Sequence, residues 1–309
     1  MRREIIIGLV LMLLLSSINI ISGNVSAEIK KEDMTWSIGD KWEYRSTTIA
    51  TTTTILKMTL EVTGEDVVEI DGVNYSVFVA ELTGELETVE IALPNTTLAQ
   101  GSTISGTSYV AKENDETTKT VQNLKYQLIN ETSGKFFNFT QTIVIITNAT
   151  SGGKPDVIDV GTNWISTIKT ITTMTTTYSG SFFDDYMHMP GYTNTTTTTD
   201  TKTGTFNYNC TGKNTTTTAA GTFETYEIEQ SNKDGGQGYT LQYLSSTVKG
   251  DVKDITYDHE GGTVISLLEL ISYDVATASS PTPKTPGFEL AIVLCSIAII
   301  LLWKRKRMN

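Results

Sequence analysis

The fold class is decided by the stretch Val67-Val68-Glu69-Ile70-Asp71-Gly72-Val73-Asn74-Tyr75-Ser76-Val77-Phe78-Val79-Ala80. Both of its ends are rich in β-branched and aromatic residues, which favour strands. Asp-Gly between two such runs is a strong short-range signal for a β-hairpin, because these residues accept the positive φ angles of a tight turn. The stretch therefore predicts two antiparallel strands joined at Asp71-Gly72.

The same pattern continues along residues 28–275. No stretch there combines a helical apolar face with helix caps. The chain carries 54 threonines among 309 residues, and the stiff β-branched side chain of threonine favours strands over helices. We therefore expect an all-β fold. Further strands are predicted at Ile55–Val62, Lys125–Ile129, Phe136–Thr147, Trp164–Thr177, Thr203–Asn209, Thr222–Glu229, Tyr239–Leu244 and Thr263–Tyr273.

An internal repeat divides this region into two halves. The segment Trp36–Tyr44, with Ile38-Gly39-Asp40-Lys41-Trp42 at its centre, is echoed by Ile158–Trp164, which contains Val160-Gly161-Thr162-Asn163-Trp164. Farther along, Val62-Thr63-Gly64 matches Cys210-Thr211-Gly212. The second copy is longer, and Asp184–Asp200 is the predicted insertion. We interpret the region as two tandem curved antiparallel units, 28–150 and 151–275, which form either one sheet or two.

Three segments of the second half resemble those of a known class of proteins. Val160-Gly161-Thr162-Asn163-Trp164, Ala219–Ile228 and Tyr243–Gly250 are similar to the G-x-x-W start, the hairpin and the later strand of a widespread class of exported β proteins. The resemblance implies half-barrel or sandwich-like sheets akin to lipoprotein-carrier folds. Lys249-Gly250 departs from the usual valine-glycine of that class. A fold of this kind hosts many functions and implies none of them.

The N-terminus predicts export. Arg2 and Arg3 precede the apolar run Ile5–Leu15, and Val25-Ser26-Ala27 places small residues before Glu28. This order is typical of a signal peptide over residues 1–27, cleaved between Ala27 and Glu28. An uncleaved anchor is the alternative, although the apolar run is short for a membrane span.

The C-terminus predicts attachment to a membrane. A Pro/Thr/Ser spacer over residues 276–286 is followed by the apolar run Leu290–Trp303 and the basic tail Lys304-Arg305-Lys306-Arg307. Positive charge stays on the cytoplasmic side, so residues 28–285 should lie outside. The apolar run is short for a permanent transmembrane helix of about 20 residues.

The tripeptide Pro286-Gly287-Phe288, together with the short helix and basic tail of residues 287–309, resembles the PGF-type sorting signal of archaeal surface proteins. The resemblance implies that a membrane-embedded archaeosortase cuts near the tripeptide and that a lipid replaces the helix. A plain single-pass tail anchor is the alternative. Either way, the expected location is the extracellular face of the cytoplasmic membrane.

The net charge and the Asn-x-Ser/Thr sequons are consistent with an extracellular location. The net charge is −12, and six of the 23 basic residues lie at the two ends, so the region between them is strongly acidic. This argues against nucleic acid, which needs clustered Lys and Arg. Exported Asn-x-Ser/Thr sites are candidates for N-glycosylation. They are Asn74, Asn95, Asn130, Asn138, Asn148, Asn194, Asn209 and Asn214.

Recognisable catalytic chemistry is missing from the sequence. It contains no Gly-x-Ser-x-Gly, HExxH, phosphate-loop or dinucleotide fingerprint. Met187-His188-Met189 is a weak soft-metal candidate. The acidic segment 251–262 around His259 does not match a calcium loop, and we interpret it as an acidic turn. We predict no catalytic residue, metal or cofactor.

Three functions remain open. We expect first a non-enzymatic, glycosylated surface protein with a structural or interaction role, whose partners are the membrane, the processing enzyme and other envelope or S-layer components. The alternative is a binding module that holds a lipid or other apolar ligand in its curved sheets. A surface hydrolase is the second alternative, because paired carboxylates cannot be recognised by sequence alone among so many acids.

Overall fold

A computed structural model describes residues 28–49, 53–89, 95–99, 101–113, 117–181, 191, 193–233 and 238–276. The predicted signal peptide up to Ala27, the sorting motif at 286–288, the apolar run behind it and His188 lie outside the described residues. Within them, no helix is long and apolar enough to cross a membrane.

Nearly every described element is a strand, and a 3-10 helix at Lys31–Met34 is the one helix described. The prediction of an all-β fold is therefore confirmed. The strands are β1 (Ile29–Lys30), β2 (Lys41–Ile49), β3 (Thr53–Ile70), β4 (Val73–Val89), β5 (Thr96–Leu98), β6 (Thr103–Ala111), β7 (Thr117–Asn130), β8 (Phe136–Gly152), β9 (Val157–Ile158), β10 (Asn163–Ser179), β11 (Thr193–Thr218), β12 (Gly221–Asn232), β13 (Tyr239–Ser245), β14 (Gly250–Tyr257) and β15 (Val264–Asp274).

Twelve strands form one closed, barrel-like antiparallel sheet. Around the ring the order is β2-β3-β4-β6-β7-β8-β10-β11-β12-β13-β14-β15, and β15 pairs with β2. β5 pairs with the end of β7, and β1 with β9. Strands from both predicted units share this sheet, so they do not form two separate half-barrels or a sandwich. The pairings β8–β10 and β15–β2 join the halves and cover edges that two separate sheets would expose.

The sequence repeat is also a structural repeat. In each copy, a glycine with positive φ and the residue after it exchange backbone hydrogen bonds with the residue that precedes a β-bulge. The partners are Gly39 (φ +96°) and Asp40 with Val62, both at 2.8 Å, and Gly161 (φ +89°) and Thr162 with Cys210, at 2.8 and 2.9 Å. Each copy contributes six consecutive strands to the ring.

The extra residues of the second copy lengthen a hairpin. β10 has 17 residues and β11 has 26, whereas β2 has 9 and β3 has 18. Of the predicted insertion the structure describes Gly191 and Thr193–Asp200, and Thr193–Asp200 is regular strand.

The same face of the sheet points inward all the way around the ring. Trp42, Val62 and Ala80 lie on that face and are fully buried in the first core cluster, which also contains Phe78, Phe223, Val248, Val252 and Leu270. A second cluster consists of Ile29, Met34, Ile158, Cys210, Tyr226, Ile228 and Leu244. In this cluster β1, the 3-10 helix and β9 cover the sheet, and Lys31 N donates to Asp156 O at 2.8 Å to hold the two segments together. We call the end of the ring that β1, the 3-10 helix and β9 cover the closed end.

A buried ion pair lies at the closed end. The Lys249 ammonium is 2.9 Å from Asp40 Oδ2, and the exposed fractions of the two side chains are 6% and 0%. Lys249 has φ +53° in the turn between β13 and β14, which aims its side chain at Asp40. The departure from the usual valine-glycine thus has a structural role.

Candidate functional site

A cavity of about 650 Å³ opens on the inner face of β10 and β11. Ile168, Met174 and Phe206 supply its apolar surface. The Phe206 ring lies directly over Gly204, where a Cβ would come within 3.0 Å of the ring. The polar part of the lining consists of Thr170, Thr172, Thr198, Asp200, Lys202, Thr203 and Asn232. The volume of this cavity falls in the usual range for small-molecule sites.

An acidic pair lies on another part of the inner face, on β14. Asp254 pairs in register with Gln242, and its Oδ1 is buried without a hydrogen-bond partner in the described residues. Burial raises the pKa of Asp251 to about 6, against a smaller opposing effect of Lys154. Burial, and secondarily the charge of Asp251, raise the pKa of Asp254 well above its usual value. The sequence interpretation of this segment as an acidic turn is wrong, because Gly250–Tyr257 is a strand and only the residues after it form the turn.

Tyr44 lies close to the acidic pair. Its hydroxyl donates to the backbone carbonyl of Asp251 at 3.2 Å, and burial raises the pKa of this tyrosine well above its usual value. Among the described residues, no histidine side chain is shown in contact with either carboxylate.

The raised pKa values predict a pH effect on stability. Between the unfolded and folded pKa values the folded protein holds more protons, so its free energy of unfolding should fall as pH rises from about 4 towards neutrality. In Asp254→Asn this decline should shrink. The stability of the variant relative to the wild type should therefore rise between pH 4 and pH 7.

Urea unfolding of both proteins at several pH values measures that difference. Asp200→Asn is the matched control, because the side chain of Asp200 is 62% exposed. Parallel stability curves for the wild type and Asp254→Asn would contradict the prediction.

The candidate glycosylation sites differ in access. An N-glycan is attached to the amide nitrogen of asparagine, which must therefore be reachable. Asn74, Asn95 and Asn194 are exposed at or near strand ends. Asn214 is also exposed, but its Nδ2 donates to Glu227 Oε2 at 2.8 Å. The remaining four are half-buried: Asn130, Asn138, Asn148 and Asn209.

Two of the half-buried asparagines have structural roles. Asn130 Oδ1 accepts hydrogen bonds from the backbone of Thr132 and Ser133 and so closes the turn before β8. Asn148 Nδ2 donates to Asp71 at the tip of the β3–β4 hairpin, at 3.3 Å. These contacts give the two asparagine side chains a structural role that does not depend on N-glycosylation.

Of the two weak metal candidates, His259 lies among the described residues. Its Nδ1 is 2.8 Å from a carboxylate oxygen of the neighbouring Asp258, in the turn before β15. In the part of the chain that the structure describes, no three His, Cys, Asp or Glu side chains converge as ligands. Cys210 is buried, and this burial raises the pKa of its thiol, which makes it a poor nucleophile.

No protein-family model and no curated protein matches the chain. Two solved structures are similar over 78% of it, each with a TM-score of 0.33. One, from Bacteroides fragilis, has a YmcC-like fold and is assigned as exported; it is 11% identical and covered over 97% of its length. The other, assigned as a lipoprotein of Parabacteroides distasonis, is 12% identical and covered over 98%. Likeness of this strength leaves the function to be argued from the chain itself.

Proposed function

We propose that the protein is a non-enzymatic, glycosylated surface protein, anchored by its C-terminus to the extracellular face of an archaeal cell membrane. Its role would be structural or interactive within the envelope. The signal-like N-terminus, the sorting-signal resemblance at Pro286-Gly287-Phe288 and the acidic, Thr-rich region between them support this proposal.

One structural observation carries the proposal furthest. All side chains from Thr193 to Thr203 on β11 are exposed, on both faces of the strand. Cross-strand threonine pairs, such as Thr175 with Thr197 at 3.1 Å, cover the outer face of this hairpin with hydroxyl and methyl groups. The described part of the chain buries none of this surface, so it is available to glycans or to neighbouring molecules.

Intact-mass and peptide analysis of the protein from its native membrane tests this proposal. The mature chain should begin at Glu28, lack Lys304–Arg307 and carry glycans at Asn74, Asn95 and Asn194. Single Asn→Gln variants at these positions should each remove one glycan mass, whereas Asn138→Gln should change nothing. Retention of the basic tail would contradict processing, and an unmodified chain would contradict the glycoprotein assignment.

The inner cavity favours a second candidate, a module that binds an apolar ligand. Met174 is 36% exposed although it lies on the inner face, so the apolar lining is accessible. The same native preparation tests this function. A bound ligand should add mass under native conditions and be lost under denaturing conditions, unlike a covalent lipid or glycan.

A further inference from the structure

Each copy of the repeat begins with a turn that exposes an apolar side chain. The turns are Ser37–Asp40 and Asp159–Thr162, closed by backbone hydrogen bonds of 3.0 and 2.9 Å, with a positive-φ glycine at the third position of each. The second position carries Ile38, which is 61% exposed, and Val160, which is 51% exposed. Turns are usually built from glycine, proline and small polar residues. An exposed β-branched apolar residue is therefore an unusual choice, and this chain makes it twice.

Both turns lie at the closed end of the ring. β2 and β10 follow the two turns, and six antiparallel pairings separate these strands around the ring, so both run in the same direction. β9 immediately precedes the second turn, which identifies this end as the closed one. A single exposed apolar side chain is ordinary on a protein surface. Ile38 and Val160 are instead a matched pair, placed half the ring apart at one end.

The chain also leaves the ring at this end. β15 ends beside the start of β2, with Asp274 opposite Lys41, and Val275 packs against the first core cluster. Residues 276–289 separate this point from the apolar run at Leu290, and a chain of that length spans at most about 50 Å when fully extended. The 17 residues of β10 carry the ring about 55 Å away from the closed end. The tail can therefore hold the closed end at a membrane but not the far end of β10.

We infer that the closed end rests on the lipid surface to which the chain is attached, with the side chains of Ile38 and Val160 in the interface between headgroups and acyl chains. This inference rests on the proposed membrane attachment. Apolar side chains enter that interface because it removes their surface from water. Two such contacts on opposite sides of the ring would fix the orientation of the closed end on the membrane.

The charges next to the two tips suit this contact. Asp159 lies beside Val160 and pairs with Lys213 at 3.3 Å, and Asp40, in the other turn, forms the buried pair with Lys249. Pairing lowers the cost of moving a charged group towards a medium of low dielectric. The net charge of −12 gives no attraction to anionic headgroups. The contact should therefore form on neutral lipid and depend on the apolar tips.

Fluorescent probes on the full chain test the contact. Ile38→Cys and Val160→Cys are labelled with the environment-sensitive dye NBD and reconstituted in phosphatidylcholine vesicles that contain nitroxide-labelled lipid. Both probes should be quenched, because interfacial apolar groups lie about 5–10 Å deep. Ile49→Cys is the matched control, since Ile49 is 41% exposed and ends β2 at the opposite end of the ring. The unmutated chain measures labelling of Cys210 and Cys295.

Quenching at positions 38 and 160 should exceed that at position 49 by at least about threefold. In the labelled Val160→Cys protein, adding Ile38→Asp should remove most of this difference, whereas adding Ile49→Asp should leave it unchanged. Quenching at position 49 that equals or exceeds that at the two tips would overturn the inference, as would unquenched tips.

Flotation of the unlabelled chain with the same vesicles tests the attachment separately. A chain that floats with the vesicles while its tips stay unquenched contradicts the orientation and leaves the proposed surface attachment standing. A chain that does not float contradicts the attachment and the orientation together.

Discussion

Replacing Lys249 by methionine should lower the free energy of unfolding by about 3–5 kcal/mol. The change leaves the Asp40 carboxylate in a fully buried position without its counter-charge, and removal of one partner of a buried pair typically has an effect of this size. Asp40→Asn should have an effect of similar magnitude, because it leaves a buried ammonium. Equilibrium unfolding in guanidinium chloride measures both.

The contacts around the pair explain why the effect should be large. Ser37 N donates to Asp40 Oδ2 at 2.7 Å, and Trp42 Nε1 donates to Val248 O at 2.6 Å. Trp36 Nε1 donates to Lys249 O at 3.2 Å. The two tryptophan bonds join the start of the first repeat to the β13–β14 turn, more than 200 residues later in the chain. Loss of the ion pair should therefore loosen the closed end of the ring.

A surface pair with the same distance provides the control. Lys41 and Glu61 also contact at 2.9 Å, but their side chains are 49% and 45% exposed. Exposed pairs contribute about 0–1 kcal/mol, so Lys41→Met should have little effect. In the double variant Asp40→Asn/Lys249→Met the two losses should be far from additive. Equal effects of Lys41→Met and Lys249→Met would contradict the assigned role.

The sequence could predict local features of this fold. The Asp71-Gly72 hairpin forms as predicted, with Ile70 opposite Val73. The repeat is visible because a positive-φ glycine has few substitutes, so the Gly39 and Gly161 motifs stand out. Each of these signals depends on neighbours that are close in the chain.

Three strands of the ring, β2, β6 and β14, were missed because their patterns are not simple alternations. β14 carries Asp254 on its inner face, which makes the segment resemble an acidic turn. β2 and β6 have small polar residues or isolated charges where a predicted core strand would have apolar ones. Alternation is a clear signal only when the inner face is a dry apolar core.

Closure of the ring could not be predicted because it depends on distant pairs. β15 pairs with β2, although more than 200 residues separate them, and nothing local in either strand specifies the partner. The same holds for the Asp40–Lys249 contact, for which the sequence shows only an unusual lysine.

Replacing Gly106 by alanine should destabilise the protein by about 3 kcal/mol, at the upper end for overpacking, because the new methyl group would meet backbone that cannot easily move. Its Cβ would overlap the carbonyl oxygen of Val121 on β7 and lie 3.0 Å from the Cα of Gln122. Gly84, on the adjacent strand, has the same problem with Lys57 O on β3. Neither glycine has a positive φ, so what the sheet requires here is their small size, which lets the neighbouring backbone come close.

Gly64→Ala is the control, because a Cβ at Gly64 would meet nothing within 4 Å and the residue has no positive φ. An alanine there should be neutral or slightly stabilising, since it lowers the entropy of the unfolded chain. Thermal unfolding followed by circular dichroism distinguishes the two variants. A side chain at Gly84 or Gly106 would push apart neighbouring strands of the first repeat, through which the ring continues to β8 and on to the second repeat. If Gly106→Ala unfolds at the wild-type temperature, the strands can separate at this point, and the closure of the ring does not depend on their close approach.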